Sequence, residues 1–272
     1  MVKLSIENLE QILHYRKMGY TYKEISKIYG VNRTSICNML ARTFGKKREL
    51  KKVSFNPLAE SELGEFIGFF MGDGHFKHDV DSAYKICFYL GPGENKYADR
   101  LTNISTNVFG KELKHWKTNL NYIILGVCGR KIYEILRKYV WYGQNKTHSV
   151  RLRYEPKDYS TELLKGVIRG LVASDGTVDV PHKRVSFSST SKQLVKQASG
   201  MLNLLGISSH IYASKQKHYF TLYTVIISKY ENLLKFYNDI GITEPIKHFK
   251  LTKTLNSYIK FPKDISPSSL AA

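Results

Sequence analysis

The sequence has few of the features that mark secreted or membrane proteins. Its 272 residues include only 3 cysteines, none in C-x-x-C spacing, so neither a disulfide framework nor a zinc finger is indicated. No apolar run reaches the length of a transmembrane helix, and the N-terminus lacks the apolar core of a signal peptide. These absences predict a protein that is not secreted and works in a reducing compartment, either the cytoplasm or an organelle.

Acidic residues are also scarce. Asp and Glu number 23 against 42 Lys and Arg, which gives a formal net charge of +19. An imbalance of this size indicates a polyanionic partner such as DNA, RNA or an anionic membrane surface. Since no membrane segment is present, a nucleic acid is the favoured partner. An apolar content of 42% is sufficient for a folded core.

A twelve-residue pattern occurs twice, at residues 63–74 and 165–176. Both copies are apolar and free of proline, and small residues recur at every fourth position, which forms one stripe on a helix. The stripe consists of Gly64, Gly68 and Gly72 in the first copy and Gly166, Gly170 and Ser174 in the second. Because glycine inside a helix costs about 1 kcal/mol relative to alanine, the stripes predict two helices packed closely face to face.

Each copy ends in an Asp-Gly pair, Asp73-Gly74 and Asp175-Gly176. We expect each glycine to end its helix in the left-handed conformation. Packing the helices brings two carboxylates together at the negative ends of two helix dipoles, a repulsion on the order of 1 kcal/mol. A divalent cation relieves this repulsion, and Mg²⁺ between carboxylates is a common arrangement for phosphodiester hydrolysis.

Residues 66–74 and 168–176 resemble the two signature motifs of the LAGLIDADG homing endonucleases, in the form in which one chain carries both halves. The essential acidic residue of the family corresponds to Asp73 and Asp175, while its earlier, non-catalytic Asp is replaced by Met71 and Ala173. The resemblance implies a monomer that cuts double-stranded DNA at a long target site and leaves a short staggered cut. Mg²⁺ or Mn²⁺ would be bound by the two aspartates with the carbonyls of Gly72 and Ser174.

The pattern of periodicity after each motif is the same in both halves. Each half shows helix, strand, strand, helix, strand, strand and helix in that order. The predicted fold class is therefore α+β, a pseudo-twofold pair of αββαββα halves. The halves are expected at residues 61–142 and 161–245, with an inter-half linker at 143–160 and a C-terminal tail at 246–272 that packs and contacts phosphate.

A separate all-α module is predicted at residues 1–45, followed by a basic linker at 46–60. Three short helices are indicated, with Thr21 and Glu24 forming a capping box, and residues 22–36 resemble a helix-turn-helix. A three-helix module without a DNA role is the alternative. If the resemblance holds, the residues that contact DNA are Arg33, Thr34, Ser35, Asn38 and Arg42.

The family resemblance further implies that each antiparallel sheet lies in the major groove. The polar candidates on the outer sheet faces are Lys77, Lys85, Lys183, Arg184, Ser186 and Ser188. The family also has a catalytic-site lysine near the second hairpin of each half, which implies Lys117 and Lys215, with Lys217 as an alternative to Lys215. Plain phosphate binding is the other interpretation of these lysines.

Two other functions are compatible with this sequence. The first is a DNA-binding regulator built on a nuclease fold that has lost its activity, which the helix-turn-helix favours and the two aspartates oppose. The second is an intron maturase that binds RNA, since the charge suits either polymer.

Overall fold

The structure, a computed structural model, describes residues 6–18, 20–43, 56–79, 82–91, 94–117, 122–215 and 220–258. The chain divides into two compact units, Met1–Lys52 and Val53–Ala272. Within the described residues, no helix has both the length and the apolar character needed to cross a membrane.

The first unit is a three-helix module. Its helices are α1 (Ile6–Lys17), α2 (Tyr22–Tyr29) and α3 (Arg33–Thr43). The predicted capping box is confirmed, because the Thr21 side chain accepts a hydrogen bond from the Glu24 amide and the Glu24 carboxylate accepts one from the Thr21 amide. Gly30 ends α2 in the left-handed conformation, with φ of 61°. The small core consists of Leu9, Ile12, Ile25, Ile36 and Leu40.

The second unit begins with a half of seven elements. These are α4 (Glu60–Asp73), β1 (Gly74–Asp79), β2 (Ser82–Leu90), α5 (Asn95–Phe109), β3 (Lys114–Lys117), β4 (Ile123–Cys128) and α6 (Arg130–Tyr139). A connecting segment follows, with β5 (Val140–Trp141), a single helical turn α7 (Lys146–Ser149) and β6 (Arg151–Leu152). The four strands β1 to β4 of this half form an antiparallel sheet in the order β1-β2-β4-β3.

The same order of elements then repeats. The second half comprises α8 (Thr161–Asp175), β7 (Gly176–Asp179), β8 (Arg184–Ser189), α9 (Lys192–Leu204), β9 (His210–Ser214), β10 (Leu222–Ile227) and α10 (Tyr230–Asp239), and α11 (Pro245–Asn256) follows it. Its sheet has the order β7-β8-β10-β9, which matches the first sheet strand for strand. The predicted pair of αββαββα halves is therefore confirmed.

The core of the second unit lies where α4 and α8 pack along their glycine stripes. Side chains are excluded at the crossing: a Cβ added to Gly68 would overlap the Val167 carbonyl, and one added to Gly170 would lie 2.6 Å from the Phe69 amide nitrogen. Both helices are buried along most of their length. The close approach explains why the sequence accepts the helix cost of these glycines.

The conformation of the two glycines after the aspartates differs from the prediction. Gly74 has φ of −90° and Gly176 has φ of −86°, so both are extended and neither is left-handed. A Cβ on Gly74 would lie 2.7 Å from Phe70 Cα, and one on Gly176 would lie 2.5 Å from Val172 Cα. Glycine is therefore required because each helix passes directly into a strand that runs close to the preceding turn.

Candidate active site

The two aspartates come together where the glycine-packed helices end. Asp73 is the last residue of α4 and Asp175 the last residue of α8. A Cβ added to Gly72 would lie 2.9 Å from Asp175 Oδ2, so the carboxylate of one helix reaches the backbone of the other. Asp73 is half-buried, whereas Asp175 is exposed. The predicted juxtaposition of the two carboxylates is present.

Both carboxylates are electrostatically unfavourable in this setting. Burial, together with the nearby charges of Asp175 and Glu94, raises the pKa of Asp73 to about 7, and Lys146 and Lys247 oppose that rise. Desolvation of its carboxylate also raises the pKa of Asp175, while Lys146 and Lys247 oppose it. The charged forms of both carboxylates are therefore less favourable here than in water.

One lysine reaches the C-terminal end of α4. Lys146, at the start of α7, donates a hydrogen bond from Nζ to the Gly72 carbonyl at 2.6 Å. Its pKa is lowered to about 8, since burial disfavours the ammonium while Asp175 and Asp73 favour it. A lysine in this position balances the negative end of the α4 dipole.

A second lysine does the same for the other helix. Lys247, in the first turn of α11, donates from Nζ to the carbonyls of Val172, Ala173 and Ser174 at 3.0, 2.6 and 3.1 Å. Burial lowers the pKa of Lys247, while the charges of Glu244, Glu94 and the two aspartates oppose that shift. Lys146 and Lys247 therefore hold equivalent places about the pseudo-twofold relation of the halves.

Local sequence patterns do not single out Lys146, and Lys247 lies in the tail that is predicted only to pack and contact phosphate. One long-range signal is present: Lys146 follows Asp73 by 73 residues and Lys247 follows Asp175 by 72, so each lysine lies at nearly the same distance after its aspartate. Lys215 is exposed just after β9. Lys117 pairs with Ile123 at the end of β3, but its side chain lies outside the described part, as does Lys217. Their catalytic role stays a prediction.

The donor set suits a hard divalent cation. Two carboxylates and the Gly72 and Ser174 carbonyls offer only oxygen, the ligand type that Mg²⁺ and Mn²⁺ prefer. In this structure those two carbonyls accept hydrogen bonds from Lys146 and Lys247, so the carboxylates are the ligands that remain open, and metal binding by the carbonyls stays a prediction. Among the described residues, no group of three or more His, Cys, Asp or Glu side chains is placed to hold a metal. Mg²⁺ keeps several waters and commonly uses one or two carboxylates together with substrate phosphate, so two aspartates are sufficient.

The predicted groove residues of the second half share one sheet face only in part. Ser186 and Ser188 alternate with the buried Val185 and Phe187, and the hydroxyls of Ser188 and Thr224 lie 2.8 Å apart on neighbouring strands. Arg184 begins the same strand and pairs with Asp179 at 2.9 Å. Lys183 instead lies in the turn before β8, where its Nζ donates to the Ser257 carbonyl at 3.3 Å and lies 4.1 Å from the ring centroid of Tyr258.

In the first half, Lys85 lies on β2 with its Nζ 4.5 Å from the ring centroid of Trp116. The side chain of Lys77 lies outside the described residues. In the three-helix unit, Arg33, Thr34, Ser35 and Asn38 are all exposed on α3, whereas nothing is described of the Arg42 side chain. The DNA contacts assigned to these residues stay predictions.

Comparison with known proteins agrees with this architecture. Residues 162–241 match the family model described as a LAGLIDADG-like domain. Mesophilic variants of the homing endonuclease I-DmoI superpose with a TM-score of 0.51 at 19% identity, covering 67% of this chain and 96% of theirs. The chain has a LAGLIDADG fold. A crystal structure of I-DmoI in complex with DNA and Mn gives the same TM-score at 17% identity, covering 67% of this chain and 97% of that one.

A curated relative is much longer. The chain is 24% identical over 258 residues to the glutamine–fructose-6-phosphate aminotransferase (isomerizing) of Methanocaldococcus jannaschii. The match covers 94% of this chain but 22% of that protein, so the chain spans about a fifth of the length of the relative. The chain therefore aligns with one part of a larger polypeptide.

Proposed function

We propose that this LAGLIDADG chain is a divalent-metal-dependent, site-specific DNA endonuclease. The observation that supports it best is the convergence of Asp73 and Asp175 with Lys146 and Lys247 at the ends of the paired helices. Two carboxylates that repel one another are stabilised by a cation, and two ammonium groups beside them suit a phosphate. The solved neighbours include a homing endonuclease in complex with DNA and Mn.

Each group at the site has a defined task in phosphodiester hydrolysis. Asp73 and Asp175 would hold Mg²⁺ or Mn²⁺, which supplies positive charge to the scissile phosphate and lowers the pKa of water. Lys146 and Lys247 place fixed positive charge where negative charge develops on the phosphate oxygens. With a pKa of about 8, the Lys146 ammonium stays mostly charged at neutral pH.

Double-stranded DNA with a long target site is the proposed substrate, bound by a monomer whose halves act as a pseudo-dimer. A net charge of +19 supports contact with many phosphates. The groove face of β8, with Ser186 and Ser188, presents short donors and acceptors to base edges. The exposed polar residues that begin α3 support a second recognition segment in the three-helix unit.

The test is cleavage of a randomised duplex library with the pure protein and Mg²⁺, followed by sequencing of the new ends. We expect ends that share one long sequence and a fixed short stagger. Asp73→Asn and Asp175→Asn should lose double-strand cleavage, while duplex binding in Ca²⁺ persists. Full double-strand cleavage by either variant would remove the aspartates from the mechanism.

A DNA-binding regulator is the second candidate. The three-helix unit, with a turn of Gly30, Val31 and Asn32 between α2 and α3, has the order of elements expected of a helix-turn-helix, which favours this function. Sequence-specific binding without cleavage in Mg²⁺ or Mn²⁺ would support the regulator. Selective binding of intron RNA over the matched duplex would instead support a maturase.

A further inference from the structure

The elements that carry the two lysines are each fixed to the opposite half. Lys146 reaches the helix end of the first half, but its turn α7 packs on the second half. Lys247 reaches the helix end of the second half, but the chain just before α11 is tied to the first. One threonine makes the contact in each case.

Thr190, which follows β8, holds α7. Its hydroxyl donates to the Thr147 carbonyl at 2.8 Å and lies 2.7 Å from His148 Nδ1. Because the hydroxyl has one proton and gives it to the carbonyl, Nδ1 of His148 is the donor of the second bond. The next residue, Ser191, is buried and donates to the Val150 carbonyl at 2.7 Å. The middle of α7 and the residue after its C-terminal end are therefore fixed by consecutive residues of the second half.

Those residues continue directly from the strand proposed to read DNA. Ser186 and Ser188 lie on the groove face of β8, and Thr190 is two residues beyond Ser188. The ring of His148 also packs against Phe220 before β10, with a centroid distance of 3.7 Å. Residues that flank two neighbouring strands of the second half, β8 and β10, thus contact the turn that presents Lys146.

Thr243, in the segment just before α11, ties that segment to the first half. Its hydroxyl donates to Glu65 Oε1 at 2.6 Å. Glu65 lies in α4, is fully buried, and is fixed by Arg100 at 2.9 Å and by the Tyr97 hydroxyl at 3.2 Å. The residue after Thr243 is Glu244, whose carboxylate accepts from the Lys247 amide at 2.7 Å and so caps the turn that presents Lys247.

We infer that Thr190 and Thr243 are positioning residues. Thr190 of the second half sets Lys146 at the helix end of the first half, and Thr243, through its bond to Glu65 of the first half, sets Lys247 at the helix end of the second. The inference rests on the proposed nuclease function. Its consequence is that seating of the second-half sheet on DNA influences the helix end of the first half, because the contact runs through a few hydrogen bonds and not through the flexible lysine alone. The two halves are thereby coupled at the site as well as along the glycine stripe.

The first test measures cleavage of the two DNA strands separately. The substrate is the duplex selected by the wild-type protein, labelled differently on each strand, with Mg²⁺ present. Thr190→Val and Thr243→Val should each slow cleavage of one strand by about 10-fold, the effect of losing one hydrogen bond in the transition state, and nicks should accumulate in opposite strands. Thr190→Ser and Thr243→Ser should restore both rates, since each keeps the hydroxyl.

Controls separate positioning from a general loss of structure. Thr252→Val removes a comparable hydroxyl bond, from Thr252 to the His248 carbonyl in α11, and should leave both strand rates unchanged. Duplex affinity in Ca²⁺ should stay within about 2-fold of wild type for all five variants. Equal slowing of both strands by either valine variant, or nicks in the same strand for both, would overturn the inference.

The second test needs neither metal nor DNA. Acetylation of each lysine by limiting acetic anhydride is followed by mass spectrometry of peptides. Thr190→Val should raise the labelling rate of Lys146 about 3-fold or more with little change at Lys247, and Thr243→Val should do the reverse. Unchanged labelling would refute the positioning role even if cleavage is confirmed, whereas selective labelling with no cleavage by the wild type would refute the nuclease and leave only the structural coupling.

Discussion

Asp73→Asn should make the metal-free protein more stable at pH 8 while it removes activity. The pKa of Asp73 is raised from 3.8 to about 7, so the folded state binds this proton more tightly than the unfolded state does. The carboxylate therefore costs stability above pH 7, and the cost disappears as the pH falls from about 7 to about 4. Asparagine keeps the shape of the side chain and never carries the charge.

The size of the expected gain in stability follows from the raised pKa of Asp73. About three pKa units correspond to about 4 kcal/mol at 1.36 kcal/mol per unit. This is a ceiling, because Asp73 is only half-buried and solvent screens part of its repulsion with Asp175. We expect about 2 kcal/mol, which raises the thermal midpoint by about 4–8 °C for a unit of this size.

The assay is thermal and urea unfolding in EDTA at pH 8 and again at pH 5. The gain should be full at pH 8 and smaller at pH 5, because at pH 5 the folded wild type has taken up the proton and only the cost of protonating the carboxyl from its unfolded state remains. Adding Mg²⁺ at pH 8 should stabilise the wild type more than the variant, because only the wild type keeps both carboxylate ligands.

Asp179→Asn is the matched control, because the pKa of this carboxylate is shifted in the opposite direction. The hydrogen bond from the His182 amide is the largest cause that lowers the pKa of Asp179, and Arg184 lowers it as well. The carboxylate therefore stabilises the fold at neutral pH and loses that effect as the pH falls. The control should be no more stable than wild type at pH 8. An Asp73→Asn protein that is no more stable than wild type in EDTA at pH 8, or equally stabilised at pH 5, would refute the electrostatic argument.

Four further outcomes are expected. Gly68→Leu or Gly170→Leu should cost 3 kcal/mol or more in urea unfolding, because a side chain there overlaps the facing backbone; wild-type stability would exclude the packing. Lys146→Met and Lys247→Met should each slow cleavage about 100-fold with duplex affinity in Ca²⁺ nearly unchanged; equal loss of affinity would indicate plain phosphate binding. Residues 53–272 alone should fold and cleave but bind more weakly, and an unfolded fragment would contradict this. Binding should fall with salt by about 0.9 log units of affinity per log unit of salt for each phosphate contact, and a flat dependence would exclude nucleic acid.

Several features of the fold could be predicted from local patterns because each has a short-range physical cause. Small residues at every fourth position of 63–74 and 165–176 can only be favourable where backbones meet, and Gly68 and Gly170 do meet the facing helix. Alternation of apolar and polar residues indicated β2 and β8, and the repetition of the whole pattern indicated two matching sheets. Thr21 and Glu24 are close enough in sequence to cap one another, so that helix start was predicted as well.

The conformation after the aspartates could not be decided in the same way. A left-handed cap and a close backbone approach both exclude a Cβ, so glycine at 74 and 176 fits either. The contacts with Phe70 and Val172 select the extended form, and these depend on the direction in which β1 and β7 leave their helices.

The sequence by itself determined the paired helices, the two aspartates at their ends and the basic charge, since composition, spacing and repetition carry that information. Only the tertiary structure decided which lysines stand beside the carboxylates. Lys146 and Lys247 lie in short segments more than 70 residues from their partners, among 42 basic residues with no local pattern to separate them. Their place depends on how α7 and α11 return to the helix ends, where Thr190 of the second half holds α7 and Glu65 of the first half, through Thr243, holds the segment before α11. That return is a property of long-range packing, which no local spacing in the chain encodes.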